Sequence, residues 1–430
     1  MRSFYGGSTL TPSGLVDVFT SNQNLLTDSL IATGINTEEL DLLNNVPVKT
    51  AENYKKEFAR GSLSEDINLN ITQSIKKYGY QTEEHETHTE DGYILTMFRI
   101  PQNGPTVFLM HGLLGSADDW ITPGPDSGLA YLLAIDGYDV WMGNARGNKH
   151  SRRHVRLSPD KDRETFWDFS WNEIGRIDLP AMIDYILCVT NQPTLKYVGF
   201  SQGTTSFFVM ASERPDYNDK ISLMVALSPV VWMTHVKSPL LRLIAPINPY
   251  IHAMFMFIGV HEFLPSNRLI KSIEKKMCGN VILSQLICSN ILFLLCGFNY
   301  KQLNITNLPV IYAHIPSGAS TKQLVHYGQG IVSGEFQKFD YGTKKNMQKY
   351  NSKVPPKYHV ERVTSPVALF YSVEDWFSNI TDVNVLQKTL PNVVDAYVVP
   401  DKKFNHIDFT YAKDLKTLIY SRLSKLFKKF

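Results

Sequence analysis

Four cysteines in 430 residues are too few for a disulfide scaffold, and none falls in a CxxC or Cys/His spacing suited to zinc. An excess of one charge is also missing. The 43 Lys and Arg against 41 Asp and Glu leave a net charge of +2, which argues against a nucleic-acid polyanion as partner. Asp118, Asp119 and Asp160 lack metal-site spacing, so neither a metal nor a cofactor is expected. No apolar run reads as a membrane span. The longest, residues 281–298, contains Ser284, Gln285, Ser289 and Asn290 and reads as buried helix. The start, Met1-Arg2-Ser3-Phe4-Tyr5-Gly6-Gly7, lacks the apolar core of a secretory signal. Residues 1–65 show neither a helical nor a strand period and read as a flexible or loosely attached segment.

What is present is ordinary for a globular chain with a large core: 43% apolar and 12% aromatic residues. Two alternating runs, 80–89 and 93–100, flank Glu90-Asp91-Gly92 and predict a β-hairpin. Continuous apolar strands are then expected at 106–110, 138–142, 195–200 and 222–227, separated by helical stretches, notably 128–136 and 178–190. Such alternation implies an α/β fold, a mostly parallel sheet covered by helices on both faces. Chemistry in such sheets sits beyond the carboxyl ends of the strands, where His111, Asn144 and Ser201 fall.

From about 232 to 358 the alternation stops. Residues 240–263 are apolar and broken by Pro246 and Pro249, and 269–298 look helical throughout. This insertion reads either as an ordinary helical subdomain or as a cap whose apolar face meets lipid. Strand pattern returns at 366–371 and 395–399. A last helix, 413–427, carries Leu415, Leu418, Ile419, Leu423 and Leu426 on one face. The expected organisation is a leader (1–65), a core in two parts (66–231 and 359–430) and a helical cap between them (232–358).

Gly199-Phe200-Ser201-Gln202-Gly203 follows the third of these strands and matches the nucleophile elbow, a sharp strand-to-helix turn that exposes a serine. Composition alone produces GxSxG about once in seven chains of this length, so the motif needs partners. A serine hydroxyl is a poor nucleophile without a base, itself oriented by an acid. In this fold the acid and then the base must follow later strands. His406 follows the last strand and precedes the final helix, and Glu374-Asp375 lies just past the strand at 366–371. Ser201, Asp375 and His406 thus stand in the required order, with Glu374 a neighbouring alternative to Asp375. An oxyanion hole needs two backbone N–H groups, and Gln202 and Leu113 are the expected donors. The loop Arg146, Lys149, Arg152, Arg153 and Arg156 reads as a solvated basic loop.

With these residues in view, the sequence resembles the acid lipase family, which includes gastric and lysosomal acid lipases and many insect lipases. The resemblance is carried by Asp91-Gly92-Tyr93-Ile94-Leu95, His111-Gly112-Leu113-Leu114-Gly115, Gly143-Asn144-Ala145-Arg146-Gly147, Phe166-Trp167-Asp168-Phe169-Ser170, Tyr185-Ile186 and Gly199-Phe200-Ser201-Gln202-Gly203. Further along come Cys288-Ser289-Asn290, Cys296-Gly297-Phe298, Ser333-Gly334, Leu390-Pro391-Asn392 and Asn405-His406-Ile407-Asp408. It covers residue 66 to the C-terminus. It implies an α/β-hydrolase with Ser201 as nucleophile, Asp375 as acid and His406 as base, needing no metal. The implied activity is hydrolysis of triacylglycerols or steryl esters at a lipid–water interface. A Cys278–Cys288 disulfide, a free Cys296 and a secreted or lysosomal location are implied in the same way. The acceptor sequons at Asn70, Asn304 and Asn379 are consistent with a glycoprotein. Phe200 departs from the family, which usually has His there. The rival expectations are an esterase or thioesterase on soluble short-chain esters, and a catalytically inactive lipid-binding protein.

Overall fold

The computed structural model describes residues 65–265, 296–297, 299, 301–304 and 307–430. The leader, the helix expected over 269–298 and the Cys278–Cys288 pairing lie wholly or almost wholly outside them.

Helix α1 (Ile71–Lys77) opens the described chain, with Asn70 as its N-cap in a capping box with Gln73. The hairpin follows as β1 (Glu83–His88) and β2 (Tyr93–Ile100), paired antiparallel, with Gly92 at φ +98° in the turn between them. Next come β3 (Thr106–Met110), α2 (Leu129–Ile135), β4 (Asp139–Met142), the short β5 (Arg153–His154) and α3 (Leu179–Thr190). Then follow β6 (Leu195–Phe200), α4 (Gln202–Glu213) and β7 (Ile221–Leu227). After the insertion the sheet resumes with β10 (Val367–Tyr371), α10 (Ile380–Thr389) and β11 (Val393–Val398), and α11 (Ser421–Phe427) closes the chain. The wide helical turn Lys416–Tyr420 leads into α11, so regular helix begins later than the 413–427 expected from periodicity.

The sheet runs β1-β2-β4-β3-β6-β7-β10-β11, with β5 on β2. All pairings from β4 to β11 are parallel, and those of β2 with β1, β4 and β5 are antiparallel. The two-residue period of each strand divides the core. Phe108 and Met110 of β3, Tyr197 of β6 and Leu369 of β10 pack in one cluster with α3, α4 and α10. Val107 and Leu109, Val198 and Ala368 pack in the other, with α1, α2 and α11. Because both faces are covered, β3 and β10 are buried at every position, which is why they read as continuous apolar runs.

The insertion contains α5 (Pro239–Ile244), α6 (Asn248–Phe257), β8 (Glu262–Phe263), α7 (Leu308–His314), β9 (Ala319–Ser320), α8 (Thr321–Ser333) and α9 (Thr343–Tyr350). The apolar stretch 240–263 holds two helices joined by the turn Ala245–Ile247, where the expected break at Pro246 falls. Pro239 sits in the first turn of α5, where its missing N–H has no helical partner to lose. Leu243, Tyr250 and Phe257 of these helices are exposed. Of the sequons, Asn70 is exposed and Asn379 is buried as the N-cap of α10.

Candidate active site

Strand β6 delivers the chain to Ser201, whose backbone turns to φ +51° and ψ −115° before α4 begins at Gln202. A non-glycine residue there is strained, and local structure over-determines it. The Ser201 N–H donates to Leu227 O at 3.0 Å, and its carbonyl accepts from Thr204 N at 2.8 Å and Thr204 Oγ1 at 2.6 Å. The flanking glycines are required by space. A Cβ on Gly199 would lie 2.8 Å from Gly203 C, and one on Gly203 would lie 2.2 Å from Met110 O.

The side chains beyond three strand ends converge on this turn. Ser201 Oγ lies 2.8 Å from His406 Nε2. On the far side of the ring, His406 Nδ1 is 3.0 Å from both Asp375 Oδ1 and Asp375 Oδ2. The Asp375 carboxylate also accepts from Phe377 N and Ser378 N, each at 2.9 Å. Burial opposes its ionisation, but His406, the hydrogen bonds from His406 and Ser228, and the Ser378 N–H outweigh that and hold its pKa below the usual carboxylate value. Glu374 accepts instead from Trp376 Nε1 at 3.0 Å, so the structure brings Asp375 and not Glu374 to the histidine. Phe200 and Phe377 flank the imidazole, with ring centroids 5.1 and 4.6 Å from it. Ser201 and His406 are both buried.

The loop after β3 meets the elbow from the other side. A Cβ on Gly112, next to Leu113, would be only 3.2 Å from Ser201 Cβ. His111 positions this loop: its Nε2 accepts from Ala145 N at 3.1 Å, so its Nδ1 carries the proton and donates to Gly112 O at 2.7 Å. Burial lowers the His111 pKa to about 4, which keeps it neutral. Leu114, at φ +62°, accepts from Ser317 N of the insertion at 2.8 Å. A second link runs from Gln202, whose Nε2 donates to Gln323 Oε1 of α8 at 2.7 Å. The insertion therefore touches both expected oxyanion-hole segments.

The basic loop is largely neutralised from within. Arg146 is buried between Asp91 and Asp178, Arg152 pairs with Asp160 and Glu262, and Lys149 with Asp118. Among the described residues no group of three or more His, Cys, Asp or Glu side chains is placed to hold a metal ion. Cys296 is buried and free. Motif reading did not find Ser228, at the end of β7, whose Oγ lies against both Asp375 and His406.

A family model for a partial alpha/beta-hydrolase lipase region matches residues 71–124, and one for the alpha/beta hydrolase fold matches residues 105–250. Lipase 1 of Drosophila melanogaster is 42% identical over 371 residues, 86% of this chain and 82% of the relative. The human lysosomal acid lipase/cholesteryl ester hydrolase is 38% identical, across 85% of this chain and 92% of the relative. Human gastric triacylglycerol lipase is 39% identical, across 83% and 90%. The chain belongs to the acid lipase family of α/β-hydrolases. As an acid lipase-family member it is a carboxylic ester hydrolase of the lipase type. A solved structure described as a putative lipase from Sulfolobus solfataricus shares the fold, with a TM-score of 0.54 at 12% identity over 81% of this chain and 94% of that one. Among the described residues no helix is long and apolar enough to cross a membrane.

Proposed function

We propose that the chain hydrolyses carboxylic esters of neutral lipids, triacylglycerols or steryl esters, through an acyl-enzyme on Ser201. The observation that carries this reading is the hydrogen-bonded line from Ser201 Oγ through His406 to Asp375. His406 Nε2 removes the Ser201 proton as Oγ attacks the acyl carbonyl, and Asp375 holds the imidazole and balances its charge. The developing oxyanion takes hydrogen bonds from the Leu113 and Gln202 N–H groups. His406 then protonates the departing alcohol, and water repeats the sequence on the acyl-enzyme. The substrate class is supported by the names of the relatives, which act on triacylglycerols and cholesteryl esters. The exposed Leu243, Tyr250 and Phe257 suit a lipid surface. The gastric and lysosomal relatives support a secreted or lysosomal location.

The test is Ser201→Ala together with a fluorophosphonate probe. Activity is expected to fall by about 10,000-fold or more and labelling to vanish. Retained hydrolysis would sink the assignment. Rates that rise sharply once the ester forms an emulsion are expected; a smooth profile through that point indicates an esterase on soluble substrates.

A further inference from the structure

Ser228 lies just past β7, the strand between the one that carries the nucleophile and the one that leads to the acid. Its backbone ties into the acid's strand: its N–H donates to Phe370 O at 2.8 Å. The preceding Leu227 O accepts the N–H of Ser201. Ser228 is fully buried and stands at φ +53°, a conformation that favours glycine over any residue with a Cβ. Yet a side chain is present there, with its Oγ 2.5 Å from Asp375 Oδ2 and 2.7 Å from His406 Nδ1.

Counting protons gives these contacts direction. A hydroxyl has one hydrogen, and an ionised carboxylate can only accept, so the Ser228 O–H is committed to Asp375 Oδ2. Its lone pairs then face His406. Among the described residues Nδ1 thereby faces acceptors only: both Asp375 oxygens and Ser228 Oγ. It must carry the hydrogen, which leaves the Nε2 lone pair for Ser201. The two carboxylate oxygens are also held unequally. Oδ1 accepts the N–H groups of Phe377 and Ser378, whereas among the described residues Oδ2 has Ser228 as its donor besides the shared Nδ1–H.

We propose that Ser228 is a positioning residue of the hydrolytic machinery: it anchors Asp375 Oδ2 and shares the His406 Nδ1 proton, so that the base keeps one tautomer and one orientation as its charge forms. The inference rests on the triad reading above. It adds a fourth side chain, which touches neither substrate nor oxyanion and acts through its two neighbours.

The experiment compares Ser228→Ala and Ser228→Gly with Ser201→Ala in the full chain. Glycine suits the backbone at φ +53° and loses the hydroxyl, so it separates loss of the contact from loss of the fold. For both Ser228 variants kcat is expected to fall about ten- to hundredfold, with KM nearly unchanged, as for a lost hydrogen bond to a charged group. The second-order rate of fluorophosphonate labelling at Ser201 should fall in parallel. The low-field proton resonance of His406 Nδ1–H should shift, which a purely structural role for Ser228 would not require. Wild-type kcat, labelling rate and resonance in both variants, with Ser201→Ala inactive, would overturn this inference and leave the triad standing. An active Ser201→Ala would overturn both.

Discussion

Glu374 and Asp375 are adjacent carboxylates with opposite surroundings. Asp375 is fully buried under His406 and accepts two backbone N–H groups, whereas Glu374 accepts from the indole of Trp376. Asp375→Asn is expected to lower kcat by roughly 10,000-fold, because an amide N–H facing Nδ1 favours the wrong tautomer of His406. Glu374→Gln should stay within about threefold of wild type, since its amide oxygen can still accept from Trp376. Steady-state kinetics on one ester checks both; equal losses would contradict the geometry. The family resemblance pointed to Asp375, but position along the chain left Glu374 as a neighbouring alternative. They lie three and four residues past Tyr371, the end of β10, and the side-chain directions separate them. Ser228 was hidden for a related reason: its contacts span 147 and 178 residues and belong to no motif. The order of Ser201, Asp375 and His406 was legible, because the fold demands each at the end of a particular strand.

Between elements, Gly203 is a tight joint near the site. It lets the first turn of α4 rest on the end of β3, where a Cβ would approach Met110 O to 2.2 Å and His111 O to 3.0 Å. Backbone atoms cannot yield as a side-chain tip can, so Gly203→Ala should cost about 3 kcal/mol or more, read as a fall in the urea midpoint. The contact between α4 and α8 gives a milder prediction. Gln323→Leu removes the acceptor for Gln202 Nε2 and leaves a buried amide unpaired, a cost of about 1–3 kcal/mol in stability. It should also lower kcat several-fold by loosening the residue proposed to donate its N–H to the oxyanion. Unchanged kcat would show that α8 does not support that donor. The strands β3, β4, β6 and β10 were legible as elements because each is a short run buried on both faces, and β1 because its exposure alternates. In the insertion, the break in the apolar stretch was legible from Pro246, which lies in the turn Ala245–Ile247, and from Pro249, which lies in the first turn of α6.

Across the whole molecule, buried ionisable groups set a pH dependence of folding. Burial pushes Asp408 up to about 8 and Asp119 up to about 7. There the folded chain keeps a proton that the unfolded chain releases near pH 4, so stability is lost as pH rises from about 4 through the folded values. Burial acts oppositely on His111 and His326, lowered to about 4 and about 3. The folded chain refuses protons that the unfolded chain accepts below about 6.5, so stability is lost as pH falls through that window. The two effects oppose each other between about pH 4 and 6.5, and above that, of these four groups, only the carboxylates act. Melting temperature should therefore decline from about pH 6.5 to 8, and Asp408→Asn should flatten part of that decline. A slope identical in the variant would remove Asp408 as a cause.

The sequence by itself determined the α/β class, the hairpin, the run of parallel strands and the ordered serine, acid and histidine. All of these depend on local period or on chain order, and both are written along the chain. Tertiary structure removed Glu374 as the alternative partner of His406, and it alone showed that the basic loop is paired internally and that two insertion contacts reach the proposed oxyanion segments. It alone showed Ser228 against both Asp375 and His406. Each of these is set by the direction of a side chain across a gap of a few ångströms between residues far apart in sequence, and no pattern along the chain records that direction.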